Sequence, residues 1–280
     1  MDFDYFTLLS PEPVKLLHMG GVKSPSLREI ARIGYPVYQG YINLFFMNKK
    51  SYYALIADET QQYLSSYEKP DREIILQVKK EYEALSKEEK ENISFFHILS
   101  FDKRLRDSIC GALNFFLEEN VVYDEEKRAF LTYSPSEAKE NSLAESSGHP
   151  VGAVTSQNYT LLADIILQRI HVKREDSEKE GGKIKNETAS RLLEKMQKGR
   201  EKQKKKEDRK MELANMISAL ASHHQSLNMT NIWDLTVFQL YDQFNRQLLE
   251  DSYDIQSMNV AAYGNSEGKF DSSMWFSSIS

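Results

Sequence analysis

The chain has 280 residues, 40% hydrophobic and 28% charged, and a net charge of −6. Its 15 Tyr and 14 Phe are too many for a chain disordered throughout, and the single Cys110 excludes an intrachain disulfide framework and any multi-cysteine zinc site. No segment reaches the roughly 18 consecutive apolar residues that span a bilayer. The opening Met1-Asp2-Phe3-Asp4-Tyr5 is acidic and lacks the basic stretch of a signal peptide, so a protein of the reducing cytoplasm is expected.

In chain order, residues 1–25 contain Pro11, Pro13, Gly20, Gly21 and Pro25, and are expected to be loop or extended chain. Val14, Leu16 and Leu17 would form a short edge strand ending at the Gly pair. A helix starts at Ser26-Leu27-Arg28-Glu29 and closes at Gly34, where a positive φ is free of steric cost. Pro36 suits the first turn of the next helix, whose inward face carries Tyr38, Tyr41, Ile42 and Phe45. Helix continues over 52–67 until Pro70 interrupts. Ile74, Ile75, Val78, Tyr82 and Leu85 then mark an amphipathic helix.

The clearest core helix begins at about 102, with Asp102 as cap and Leu105, Ile109, Leu113, Phe116 and Leu117 recurring at the helical period. Cys110 lies in its apolar run Ile109-Cys110-Gly111-Ala112-Leu113 and is a structural thiol, since nothing basic stands near to make a thiolate. Val121-Val122-Tyr123 and Ala129 to Tyr133 form a β-hairpin about a turn at Asp124 to Lys127. Ala153-Val154-Thr155 adds a short strand, and a helix from about Asn158 faces Leu162, Ile165, Ile166 and Ile170 inward.

The fold class is therefore mainly α: a helical head over 1–172 with a small β-hairpin near 121–133, and a flexible linker over 173–187 containing Gly181-Gly182. A charged connector helix follows over 188–222, then a small helical C-terminal unit over 228–280. Residues 191–210 hold ten Lys or Arg against four acids, a local surplus of six that leaves −12 on the rest. Residues 197–210 contain no apolar side chain, so this stretch cannot bury a face. In the C-terminal unit, Trp233, Val237, Leu240, Tyr241, Phe244 and Leu248 would share one stripe of a helix introduced by Thr230 or Asn231.

No phosphate-binding loop, dinucleotide fingerprint, metalloprotease or nucleophile-elbow motif occurs. The adjacent pair His223-His224 diverges by about 100° on a helix and is ill placed to share a metal. The carboxylate pairs Asp58-Glu59 and Glu118-Glu119 lack an apolar pocket to raise a pKa. Neither enzyme nor cofactor is expected. Lys198, Arg200, Lys202, Lys204, Lys205, Lys206, Arg209 and Lys210 are a candidate phosphate-contacting run. A solvated connector accounts for them better, because acids share the segment and no aromatic is interleaved for base stacking. Met274-Trp275-Phe276 sits near the C-terminus, where large aromatics either dock back onto the Trp233 helix or enter a partner groove.

Two segments carry a resemblance. The run Asn231-Ile232-Trp233-Asp234-Leu235-Thr236-Val237-Phe238-Gln239-Leu240-Tyr241-Asp242-Gln243-Phe244 resembles the C-terminal helix of proteins from tail-morphogenesis modules of phages and prophages of Gram-positive bacteria. Ser273-Met274-Trp275-Phe276 is similar to the endings of their tail assembly chaperones, and Gly20 to Ile30 with Gly34-Tyr35 and Tyr38 looks like their opening. The resemblance implies a non-enzymatic adaptor that coats a long helical tape-measure protein or recruits tail-tube subunits. Trp233, Phe238, Tyr241, Phe244, Trp275 and Phe276 would then bind the partner by apolar burial. The alternatives are a nucleic-acid-binding accessory protein acting through 198–210, and a structural virion part such as a connector or baseplate protein.

Overall fold

A computed structural model describes residues 3–57, 63–135, 149–172, 212–265, 268 and 270–277. The fold is mainly α, as expected, with two small antiparallel sheets among the described residues. Its contacts divide into two compact units, one of residues 1–25 and 29–172, the other of 26–28 with 173–280.

The first unit opens with a short helix that the proline pattern did not announce, α1 (Tyr5–Leu9), started by Asp4, whose carboxylate accepts the Thr7 N–H at 3.0 Å. The strands β1 (Val14–Leu16) and β2 (Gly20–Val22) then pair with Val14 opposite Val22. The Gly pair therefore opens a second strand and does not merely end the first. His18 makes the turn at φ 62°. The helix α2 (Leu27–Ile33) ends at Gly34, which sits at φ 88° and leads into α3 (Tyr35–Phe46) with Pro36 in its first turn. Tyr38, Ile42 and Phe45 are buried along α3.

Helix continues in α4 (Lys49–Ala57), followed by a 3-10 turn at Leu64–Ser66. Pro70 does not interrupt: it lies in the first turn of α5 (Lys69–Ala84), where its missing N–H costs nothing. Of the five residues expected to face inward on α5, only Ile75 is fully buried, and Ile74 is exposed. Two short helices escaped the periodicity reading, α6 (Lys87–Asn92) and α7 (Phe95–Phe101). Each is shorter than two helical repeats, and each is started by a serine, Ser86 through a capping box with Glu89 and Ser94 by accepting the Phe96 N–H.

Asp102 starts α8 (Lys103–Phe116) as expected, accepting the Leu105 N–H at 2.9 Å, and Leu105, Ile109, Leu113 and Phe116 are buried. Phe116 meets Phe45 edge to face at 5.5 Å, which joins α8 to α3. Cys110 is part-buried, its thiol donating to the Val121 carbonyl, and burial pushes its pKa up, away from a reactive thiolate. The hairpin β3 (Asn120–Asp124) with β4 (Ala129–Tyr133) forms in the expected place, and β5 (Gly152–Val154) completes the order β3-β4-β5. Central β4 buries Ala129, Phe130, Leu131 and Thr132 in succession, because both of its faces are covered. Ala153 donates to the His18 carbonyl at 2.9 Å, bringing β5 beside the first hairpin. The helix α9 (Tyr159–Arg169) then buries Leu162, Ile165 and Ile166.

The second unit contains α10 (Leu213–His223) and α11 (Val237–Tyr263), packed against one another. The proposed linker 173–187 and most of the connector, including every basic residue from Lys198 to Lys210, lie outside the described residues. Ile232 to Asp234 form a 3-10 turn, and α11 begins only at Val237. This corrects the expected stripe: Trp233 does not share a helix with Val237 to Leu248. Thr236 and Gln239 make a capping box in which each side chain accepts the other's backbone N–H, at 3.2 and 3.0 Å. That box sets the helix start four residues beyond Trp233, with Leu235 extended between them. No helix among the described residues is long and apolar enough to cross a membrane.

Candidate partner-binding surface

The core of the second unit is small and continuous. Leu213, Met216, Ile217 and Leu220 of α10 are buried, with Ile232 of the 3-10 turn and Val237, Phe238 and Leu240 of α11. Three residues from far upstream complete it. Leu27 is buried and donates its N–H to the Leu235 carbonyl at 2.9 Å, and Ser26 bridges Thr236 in antiparallel fashion. Arg28 clasps Asp234 through two nitrogens, at 2.7 and 3.0 Å, on the solvent side.

The six aromatic candidates divide according to this core. Phe238 is buried in it, which makes it a packing residue. Trp233, Tyr241 and Phe244 are half-buried, and the Trp233 indole N–H is taken by the Met229 carbonyl at 2.9 Å. Trp275 and Phe276 remain 50% and 58% exposed. Their rings meet edge to face at 5.0 Å on a 3-10 turn, Met274–Phe276, that packs against α11.

The tail is tied down at several points. Arg246 donates to the Ser277 carbonyl at 2.7 Å, and the Tyr253 and Phe270 rings lie 5.6 Å apart. Asp271 accepts both the Ser273 N–H and its hydroxyl, at 2.8 and 2.6 Å, which shapes the turn and holds the Asp271 carboxyl below its ordinary pKa. Of the two alternatives for the tail, docking back is the one seen. The turn docks back onto the long helix, yet its two largest rings keep half their surface in water.

Around α11 the polar groups secure structure. His223 at the end of α10 approaches Asp251 at 3.1 Å, while Gln247 donates to the same carboxylate at 3.0 Å. Asp251 is accordingly held below its usual pKa, first by Gln247 and then by His223. The neighbouring His224 instead accepts two backbone N–H groups, from Ser226 and Leu227. Among the described residues, no group of three His, Cys, Asp or Glu is arranged to hold a metal.

On the first unit, a hollow of about 320 Å³ is lined by Lys15, Glu118, Glu119, Ser134, Pro135 and Val151. Its charged groups are engaged with protein partners: Lys15 pairs with Glu118, and Glu119 accepts the Gly21 N–H at 2.7 Å. The sequence reading also passed over Ile255 and Met258, both exposed on α11. The seven-residue step from Leu248 to Ile255 was the available signal.

No curated protein and no solved structure matches the chain. Residues 202–280, which include α10, α11 and the aromatic turn, match the family model described as the YomV second domain.

Proposed function

We propose that this chain is a non-enzymatic adaptor of phage tail morphogenesis, acting like a tail assembly chaperone. Its C-terminal unit would bind a long helical tape-measure-type protein or a tail-tube subunit. The similarity of residues 202–280 to a domain of YomV, a phage/prophage-type protein, supports a phage-associated role. The observation that carries the binding mode is the half-exposed pair Trp275 and Phe276 on a turn already fastened to α11. Burying the exposed parts of two such rings yields on the order of 5 kcal/mol before ordering costs. Fastening the turn in the free protein reduces those costs, because less conformational freedom is lost on association.

The test is a pull-down with the native gene neighbourhood expressed, nuclease added, and bound proteins identified by mass spectrometry. Recovery of a long helical protein or a tube subunit, cut at least tenfold by Trp275→Ala with Phe276→Ala, is the expected result. Unchanged recovery removes the tail from this role. Nuclease-sensitive recovery would move the activity to Lys198 through Lys210, and persistence in purified particles would mark a structural virion component.

A further inference from the structure

The helix α11 is much longer than its buried part. All of its fully buried residues, Val237, Phe238, Leu240 and Asp242, lie in the first two turns. Beyond them Leu248, Ile255 and Met258 are 50%, 59% and 63% exposed. With Tyr241, Phe244, Asp251 and Ala262 they follow alternating steps of three and four residues, the seam spacing of paired helices. Among the described residues, Leu248, Ile255 and Met258 of this row stay largely exposed, although Tyr241, Phe244 and Asp251 of the same row are half-buried. His223, the last residue of α10, stands beside Asp251. The aromatic tail attaches through Arg246 and Tyr253, roughly 160° around the helix from Leu248 and Ile255.

We propose that the row Leu248–Ile255–Met258 is a docking site for a basic amphipathic helix of a partner protein, with apolar residues at the same spacing and Lys or Arg beside them. This rests on the adaptor reading and deepens it. From Leu248 to Tyr263 the helix carries Glu250, Asp251 and Asp254 and no Lys or Arg. Its C-terminal end adds the negative pole of the helix dipole. Asp254 borders the apolar row, so a cation flanking the partner's own row falls opposite it. A second copy of this chain would instead set acid against acid, without a basic residue to compensate. The chain's own positive segment, 191–210, has the complementary charge, but its apolar residues Leu192, Leu193 and Met196 span only four positions against the ten from Leu248 to Met258. An external helix satisfies both requirements.

The test uses the full chain and two fluorescent peptides of about three heptads, with Leu at the seam positions and either Lys or Glu flanking them. Anisotropy should show the Lys-flanked peptide binding at least tenfold more tightly than the Glu-flanked one, with the advantage shrinking as salt screens the charges. Ile255→Asp with Met258→Asp should reduce that binding at least tenfold and leave the thermal melt unchanged, since neither side chain is buried. Asp254→Lys should reverse the peptide preference. Equal binding of both peptides, or binding indifferent to the Ile255/Met258 change, overturns the proposal. So does concentration-dependent dimerisation abolished by that change, which would assign the face to contact between copies. Should partner recovery depend on Trp275 and Phe276 but not on Ile255 and Met258, this face is excluded while the adaptor reading stands.

Discussion

The Tyr52 hydroxyl donates to the Asp102 carboxylate at 2.7 Å, and neither residue has any exposed surface. Tyr67 donates to the same carboxylate at 2.9 Å and Tyr63 at 3.3 Å, while the Leu105 N–H at 2.9 Å completes the shell. One buried carboxylate thus gathers α4, the Leu64–Ser66 turn and the start of α8 around itself. Asp102→Ala should cost about 3 kcal/mol or more, from the lost cap together with hydroxyls left unpaired in the interior. Tyr52→Phe removes one donor and should cost about 1–2 kcal/mol. Urea unfolding followed at 222 nm measures both. A value for Asp102→Ala no larger than that of Tyr52→Phe would show the cluster to be dispensable.

The same cluster predicts a loss of stability in alkali. Burial, with the Asp102 charge beside it, raises the Tyr52 pKa far above its ordinary value of 10.0, and burial with the Tyr63 hydroxyl does the same for Tyr67. Each folded pKa exceeds the unfolded one, so the native state holds protons that the unfolded chain releases. Their contribution is complete below about pH 10 and declines as pH rises past it, by up to about 1.4 kcal/mol per pH unit for each residue. The urea midpoint should therefore fall between pH 9.5 and 11, and fall less steeply in Tyr52→Phe. A flat profile, or an equal slope in the variant, would show that Tyr52 ionises freely.

Much of this architecture is legible in the sequence where one signal dominates. The period of Leu105 to Phe116 identified α8, and alternation with a polar turn identified β3 and β4. The tyrosine cage was not legible, because Tyr52, Tyr63 and Tyr67 meet Asp102 only after the chain has folded back across 35 to 50 positions. The start of α11 was misplaced for a local reason: Trp233 falls at the helical period, which put the start at Thr230 or Asn231 and passed over the Thr236–Gln239 box. For the binding surface, composition could list the aromatics but could not tell buried Phe238 from exposed Trp275 and Phe276. That distinction depends on which face of a helix finds a neighbour.

Arg169 is fully buried, and its guanidinium donates to the carbonyls of Thr7 and Glu12 at 2.7 and 2.8 Å, with Nε lacking a hydrogen-bond partner among the described residues. Its own carbonyl accepts the Ser24 hydroxyl at 3.0 Å. The end of α9 thereby pins the N-terminal segment, which has few apolar anchors of its own. A lysine lacks the planar fork that reaches two carbonyls at once, so Arg169→Lys should cost about 1–2 kcal/mol. Hydrogen exchange should quicken over residues 5–12, with little change in the α8 amides. Uniform acceleration throughout the first unit would mean that Arg169 supports the whole core instead of this one attachment.

Thr236 offers a way to separate the integrity of the second unit from its binding surface. Its side chain accepts the Gln239 N–H at the start of α11, beside buried Val237 and Phe238, whereas the aromatic tail is fastened further along, at Arg246 and Tyr253. Thr236→Ala should cost about 1 kcal/mol, and Thr236→Ser, which keeps the accepting oxygen, much less. A destabilisation of that size lowers the melting temperature of a small domain by roughly 4–8 °C. Below the melt, partner recovery by Thr236→Ala should match the unaltered protein, because Trp275 and Phe276 keep their attachment. A loss as large as that from Trp275→Ala with Phe276→Ala would transfer the binding role to the first turn of α11, and with it to half-buried Trp233 and Tyr241.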